Sequence, residues 1–180
     1  MKITEIDEEM PTLGSSNFTR SPGIHLSDVL RSLNKTLNRT KTSDWDMDPT
    51  RAVGLLWEEV LNRAFADSLG ERCGEICKDG VIMTPDGFHV EDWELEEAKA
   101  TWRSMNRELT DPSFWDWFAQ MKAYCYATGT QVARLRVLWV AGDYRGSGPK
   151  YQRYRVEFTE NELNDNWQML MNHKKTMEDK

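Results

Sequence analysis

The sequence has no apolar run of about 18 residues, the minimum for a helix that crosses a bilayer. It also lacks a basic leader, since its first ten residues, MKITEIDEEM, are acidic where a signal peptide carries positive charge. A soluble, cytoplasmic protein with no membrane partner is the expectation. Cysteine is scarce. Cys73, Cys77 and Cys125 form no CxxC pair, which suits a reducing compartment and argues against a structural zinc or an iron–sulfur cluster. Cys73 and Cys77 stand four apart and read as small buried hydrophobes. The three histidines, His25, His89 and His173, are isolated, form no ligand pair and read as surface or loop residues. Positive charge is short, 23 Lys and Arg against 30 Asp and Glu, for a net −7. That balance weighs against tight non-specific binding to a polyanion, although net charge says little about one local site.

Apolar residues, by contrast, make up 39% of the 180 residues and include eight Trp, enough to bury a core in one domain. Residues 1–24 are polar and broken by Pro11, Gly14, Pro22 and Gly23, which reads as an irregular or mobile arm. The spacing of Ile24, Leu26, Val29, Leu30, Leu33 and Leu37 predicts a short helix with Ser27 as its cap. Asp48-Pro49 opens a stronger helix, with a stripe of Val53, Leu56, Trp57, Val60, Leu61, Ala64 and Phe65, closed by Gly70. From about Gly80 the pattern turns to strands: 81–84, 88–90 and a longer one over 93–101. Asp111-Pro112 starts another helix on the stripe Phe114, Trp117, Phe118, Met121 and Cys125, and Gly129 stops it. Strands over 132–140 and 151–158 follow, joined by a turn-rich segment, and a helix from Glu160 to about Lys175 ends the chain.

The chemistry concentrates in TPDGFHVEDWELEEAKAT. Residues two apart on a strand share a face, so Glu97 and Lys99 point together while Ala98 points the other way, toward a covering helix. Asp86 lies eleven residues before Glu97, a separation that a hairpin closes to set the two carboxylates opposite one another. Converging acids with an adjacent ammonium are what metal-assisted hydrolysis of a phosphodiester needs: oxygen ligands for a hard cation and a group that handles the attacking water. The competing reading of the same stretch is a solvated acidic loop, because Glu91, Asp92, Glu94 and Glu96 crowd it and Pro-Asp-Gly is a common turn. On the preceding helix Gly54 and Glu58 share a face beside the buried stripe, whereas Glu59 falls with Asn62 and Arg63 on the wetter side.

Pro85-Asp86, ten residues, then Glu97-Ala98-Lys99 resembles the signature of the PD-(D/E)XK nuclease superfamily. Gly54 through Glu58 resembles its first-helix motif, and Gln120 to Tyr124 resembles the Gln-x-x-x-Tyr motif of the RecB and lambda-exonuclease branch. The strand pair ending in Tyr154-Arg155-Val156-Glu157-Phe158 is similar to phage-encoded members of that branch, and the likeness covers roughly residues 50–170. The resemblance implies an α/β fold with a restriction-endonuclease-like core: a central mixed β-sheet flanked by helices on both faces. It implies residues 49–180 as the nuclease domain, after an arm over 1–48 with one short helix. It further implies Mg²⁺ or Mn²⁺ held by Glu58, Asp86, Glu97 and the Ala98 carbonyl, with Lys99 orienting the water. Gln120 and Tyr124, with Thr101, Ser104 and Arg103 as weaker candidates, would contact DNA. The branch's iron–sulfur members hold their cluster mostly after the nuclease core, where this chain has no cysteine beyond Cys125. The first-helix position is Glu where many relatives carry His.

The implied activity is a metal-dependent deoxyribonuclease, end-dependent, of phage-type recombination or repair. Its partner is DNA as duplex ends or single strand, with a second copy of the chain or a recombination protein as further candidates. An endonuclease of restriction or junction-resolving type, and a catalytically silent binding or assembly module, are the alternatives. The basic residues Arg134, Arg136, Arg145, Lys150, Arg153 and Arg155 line a DNA groove on one reading and solvated strand faces on the other.

Overall fold

A computed structural model describes residues 1–6, 21–38, 56, 59–60, 63–64, 74–146 and 148–179. Gly54, Glu58 and Cys73 lie outside the described residues, as does most of the helix expected after Pro49. The elements are β1 (Lys2–Ile6), α1 (Leu26–Asn38), β2 (Ile76–Lys78), β3 (Val81–Met83), β4 (Gly87–His89), β5 (Glu94–Thr101), a 3₁₀ turn (Pro112–Phe114), α2 (Trp115–Thr128), β6 (Val132–Trp139), β7 (Lys150–Glu157) and α3 (Glu160–Glu178).

Five strands form a mixed sheet in the order β1-β7-β6-β5-β4, and β2 and β3 form a separate hairpin. Among the described strands of this sheet, only β5 and β6 pair in parallel. A parallel pair needs a crossover, and the 3₁₀ turn with α2 supplies it. The Asp111 side chain accepts from Ser113 N at 2.8 Å with Pro112 just inside, and Gly129 ends α2 with φ 73°, in the left-handed region where a side chain is strained. In α3, Thr159 and Glu162 form a reciprocal capping box.

The pleat divides the core in two. Leu95 from β5 and Ala133, Leu135, Val137 and Trp139 from β6 pack with α1, α2 and α3 on one side. Ala98 and Leu138 face the other side and pack against Ala64, from the helical stretch that includes residues 56, 59, 60, 63 and 64. Helices therefore cover both faces, and a small residue at position 98 leaves room for the second layer.

Several local expectations differ from what forms. The start of the presumed arm is strand β1, an edge strand antiparallel to β7, with Ile3 packed on the core. Helix α1 begins two residues earlier than a Ser27 cap requires: the Asp28 carboxylate accepts from His25 N at 3.3 Å. His25 itself is buried and its Nε2 bonds Ser21 O at 2.9 Å, while Leu56 and Cys77, expected inside, are exposed. Glu59 is half-buried and pairs with Arg63 at 2.9 Å.

Candidate active site

The hairpin register settles where Asp86 lies. Gly87 pairs with Glu96 and Phe88 with Leu95, so one further step sets Asp86 opposite Glu97. Its Oδ2 accepts from Ala98 N at 2.8 Å, which ties the carboxylate to the strand that carries Glu97. Glu97 is 2% exposed although it is an acid, and its Oε1 accepts from Lys99 Nζ at 2.5 Å. A carboxylate in that position is tolerated because the ammonium two residues on, on the same face, offsets its charge.

Lys99 Nζ also donates to Gln120 Oε1 at 2.9 Å, Gln120 Nε2 donates to the Tyr124 hydroxyl at 2.7 Å, and that hydroxyl donates to Thr84 O at 3.3 Å. The residues of the Gln-x-x-x-Tyr spacing thus form one hydrogen-bonded chain from the β5 lysine to the backbone just before Asp86. Tyr124 is 4% exposed, so its ring belongs to the core and its hydroxyl to the chain. Cys125, on the same helix, is fully buried, and burial with the Glu97 carboxylate nearby pushes its thiol well above the ordinary range. It behaves as a packed hydrophobe, not a nucleophile.

The remaining expected residues sit at the carboxyl end of β5. Thr101 is buried and its hydroxyl accepts from Arg103 N at 3.2 Å, while the Ser104 hydroxyl accepts from Asn106 N at 3.2 Å. The Arg103 guanidinium lies over the Phe114 ring, 4.9 Å from its centroid.

Of the four acids between Asp86 and Glu97, Glu91 and Asp92 are exposed in the turn before β5, as a solvated loop would have them, but Glu94 and Glu96 are not. Glu94 and Glu96 are buried on the opposite face of β5, where Glu96 meets Arg136 at 2.5 Å and also His89, and Glu94 meets Arg134 and, at 2.8 Å, Arg155. Burial alone would raise the Glu96 carboxyl, but hydrogen bonds from His89 and Arg136 outweigh it and hold the group below the usual carboxylate range. Glu94 is lowered in the same way, burial opposing and Arg134 and Arg155 prevailing. Arg134, Arg136 and Arg155 are therefore engaged with carboxylates, and His89 is part of this network, not an isolated loop residue. The spacing carried the signal, since Glu94 and Glu96 match Arg134 and Arg136 two by two once β5 and β6 are parallel.

No protein-family model and no curated protein matches the chain. Solved structures do. An alkaline exonuclease (LHK-Exo) from Laribacter hongkongensis superposes with a TM-score of 0.52 at 17% identity, covering 84% of this chain and 79% of that one. The chain shares the fold of that protein. A phage-related exonuclease from Haemophilus somnus 129PT gives 0.51 at 10% identity, over 81% and 77% of the two chains. At those identities the likeness is one of fold, and it agrees with the α/β, restriction-endonuclease-like core that the motif resemblance implied.

Among the described residues no three His, Cys, Asp or Glu side chains group as a metal site, and Glu58 lies outside them. The donors that are described fit a hard divalent cation: one carboxylate from β5 and one from the residue just before β4, with Asp86 fixed by a hydrogen bond to the strand that carries Glu97. They do not fit zinc, because neither histidine nor thiolate stands among these donors.

Proposed function

We propose that this chain is a divalent-metal-dependent deoxyribonuclease that acts from DNA ends, a cytoplasmic enzyme of phage-type recombination or repair. The observation that carries the reading is Asp86 hydrogen-bonded to the Ala98 amide, opposite Glu97, with Lys99 on the same face as Glu97. That both structural relatives are exonucleases supports the choice of end-dependent action.

Asp86, Glu97 and the Ala98 carbonyl, with Glu58 as the further carboxylate, would hold Mg²⁺ or Mn²⁺. When bound, such an ion offsets phosphate charge and makes water a better nucleophile. Lys99, held between Glu97 and Gln120, orients the attacking water or stabilises the charge that develops on the phosphoryl oxygens. Tyr124 and Thr84 hold Gln120 in turn. Thr101, Arg103 and Ser104 stand at the end of β5, where hydroxyl and guanidinium donors would meet backbone phosphates.

A digestion panel tests this: linear duplex, single strand and closed circle, each with Mg²⁺, Mn²⁺ or chelator. Linear DNA should shorten with metal and stay intact with chelator, and circles should survive. Asp86→Ala, Glu97→Ala and Lys99→Ala should each abolish digestion without unfolding the chain. Cutting of intact circles would replace the exonuclease by an endonuclease. Activity that persists in chelator, or in Asp86→Ala, would refute the site.

A further inference from the structure

The sheet presents two aromatic side chains to solvent just beyond the candidate site. Trp102 follows the last residue of β5 and is 44% exposed, and Tyr144, in the turn after β6, is 64% exposed. A third exposed aromatic, Trp93, is already engaged edge-on with Phe88 at 4.9 Å. Trp102 and Tyr144 stand on loops that are tied together. Val140 N donates to Thr101 O at 2.8 Å, Met105 N donates to Gly142 O at 2.9 Å, and the Tyr144 hydroxyl donates to the Trp102 carbonyl.

The backbone holds this arrangement at some expense. Tyr144 has φ 63°, a left-handed conformation that a residue with a bulky side chain seldom adopts without cause. Next to it, Arg145 is exposed, and its backbone N–H takes up the Asp143 carboxylate at 2.8 Å, so that acid serves the turn. Lys150, where β7 begins, is exposed as well. Aromatic faces beside exposed cations, at the carboxyl ends of a parallel strand pair, are suited to bases with their phosphates.

We propose that Trp102 and Tyr144 form a stacking platform for unpaired nucleobases of a single strand whose scissile phosphate lies at Asp86, Glu97 and Lys99. The inference rests on the nuclease reading for that last clause alone. Trp102 lies three residues beyond Lys99 along the strand, about 10 Å at ~3.3 Å per residue. At that separation the platform grips the strand near the reaction but does not touch the reacting phosphate. Any base stacks on an aromatic face, so the platform is indifferent to sequence.

The test measures anisotropy of fluorescein-labelled oligothymidylate with the full chain in chelator, where no cleavage occurs. Trp102→Ala and Tyr144→Ala should each weaken binding by about tenfold, the size of one lost base–ring stack, and Trp102→Phe should recover most of it. Tyr144→Gly removes the ring while relieving the left-handed backbone, so its loss of binding would not reflect misfolding. Hydrolysis of thymidine 5′-(p-nitrophenyl phosphate) with Mn²⁺, a substrate too short to reach the platform, should be unchanged in all four variants. Unchanged oligothymidylate binding in Trp102→Ala and Tyr144→Gly overturns the platform, as does a wild-type chain that binds no single strand. A wild type that hydrolyses no phosphodiester, yet loses strand binding in Trp102→Ala, upholds the platform and removes the nuclease reading instead.

Discussion

Replacing Gln120 by Leu cuts the hydrogen-bonded chain at the point where helix α2 meets the β5 lysine. Lys99 would keep Glu97 at 2.5 Å but lose its second acceptor at 2.9 Å. A hydrogen bond to a charged group contributes about 1.5–3 kcal/mol net. If the bond serves to aim the ammonium at the transition state, its loss lowers kcat by about 10- to 150-fold with little change in KM. The neutral bond from Gln120 to Tyr124 is weaker, so Tyr124→Phe should cost about 2- to 10-fold. Because the bonds act in series, the double variant Gln120→Leu/Tyr124→Phe should be no slower than Gln120→Leu alone. Steady-state kinetics on linear duplex with saturating Mg²⁺ measures all four corners of that cycle. Additive losses would refute the serial argument, and a loss confined to KM would assign Gln120 to uniform substrate binding.

The other expectations concern the opposite face of β5 and the choice between Glu58 and Glu59. Arg136→Met leaves Glu96 buried without its guanidinium and should cost about 3–5 kcal/mol in urea unfolding, whereas Arg136→Met with Glu96→Leu should recover most of that loss. Glu94 and Glu96 have folded pKa values below their unfolded ones, so their contribution is complete above about pH 4.3 and fades as pH falls through the lower folded values. The melting temperature should therefore drop on acidification below about pH 4. The drop should be shallower in Arg134→Gln, where Glu94 lacks one of its partners. Digestion assays should find Glu59→Ala near wild type, since Glu59 pairs with Arg63 on the helix surface, and Glu58→Ala inactive. Equal losses would contradict the assignment of Glu58.

Much of the hairpin that carries the candidate site was legible because its geometry is local. An eleven-residue separation and a period of two suffice to set Asp86 opposite Glu97, with Lys99 beside it and Ala98 turned away. Strand β1 escaped because its partner β7 lies some 150 residues away and no pattern in KITEI names it. Gln120 and Tyr124 were legible as a spacing but not as a linkage to Lys99. Their positions relative to β5 depend on how α2 crosses between two parallel strands, which no single segment encodes. His25 and Leu56 show the same limit, one residue polar yet buried and the other apolar yet exposed.

The two faces of β5 divide the labour of a single acidic sequence. Glu94 and Glu96 spend their charge on arginines and a histidine, and so fix β5 against β6, β7 and β4 with buried ion pairs. Glu97 and Lys99, one residue out of phase, face the α2 side with a matched pair of opposite charges. A one-residue slip of β5 would exchange the two sets and leave Arg136 facing Ala98's neighbours in place of Glu96. The salt-bridge ladder therefore acts as a lock on register. The relation of Glu97 to Asp86 is set by that register, so the buried pairs on one face hold the geometry of the candidate site on the other.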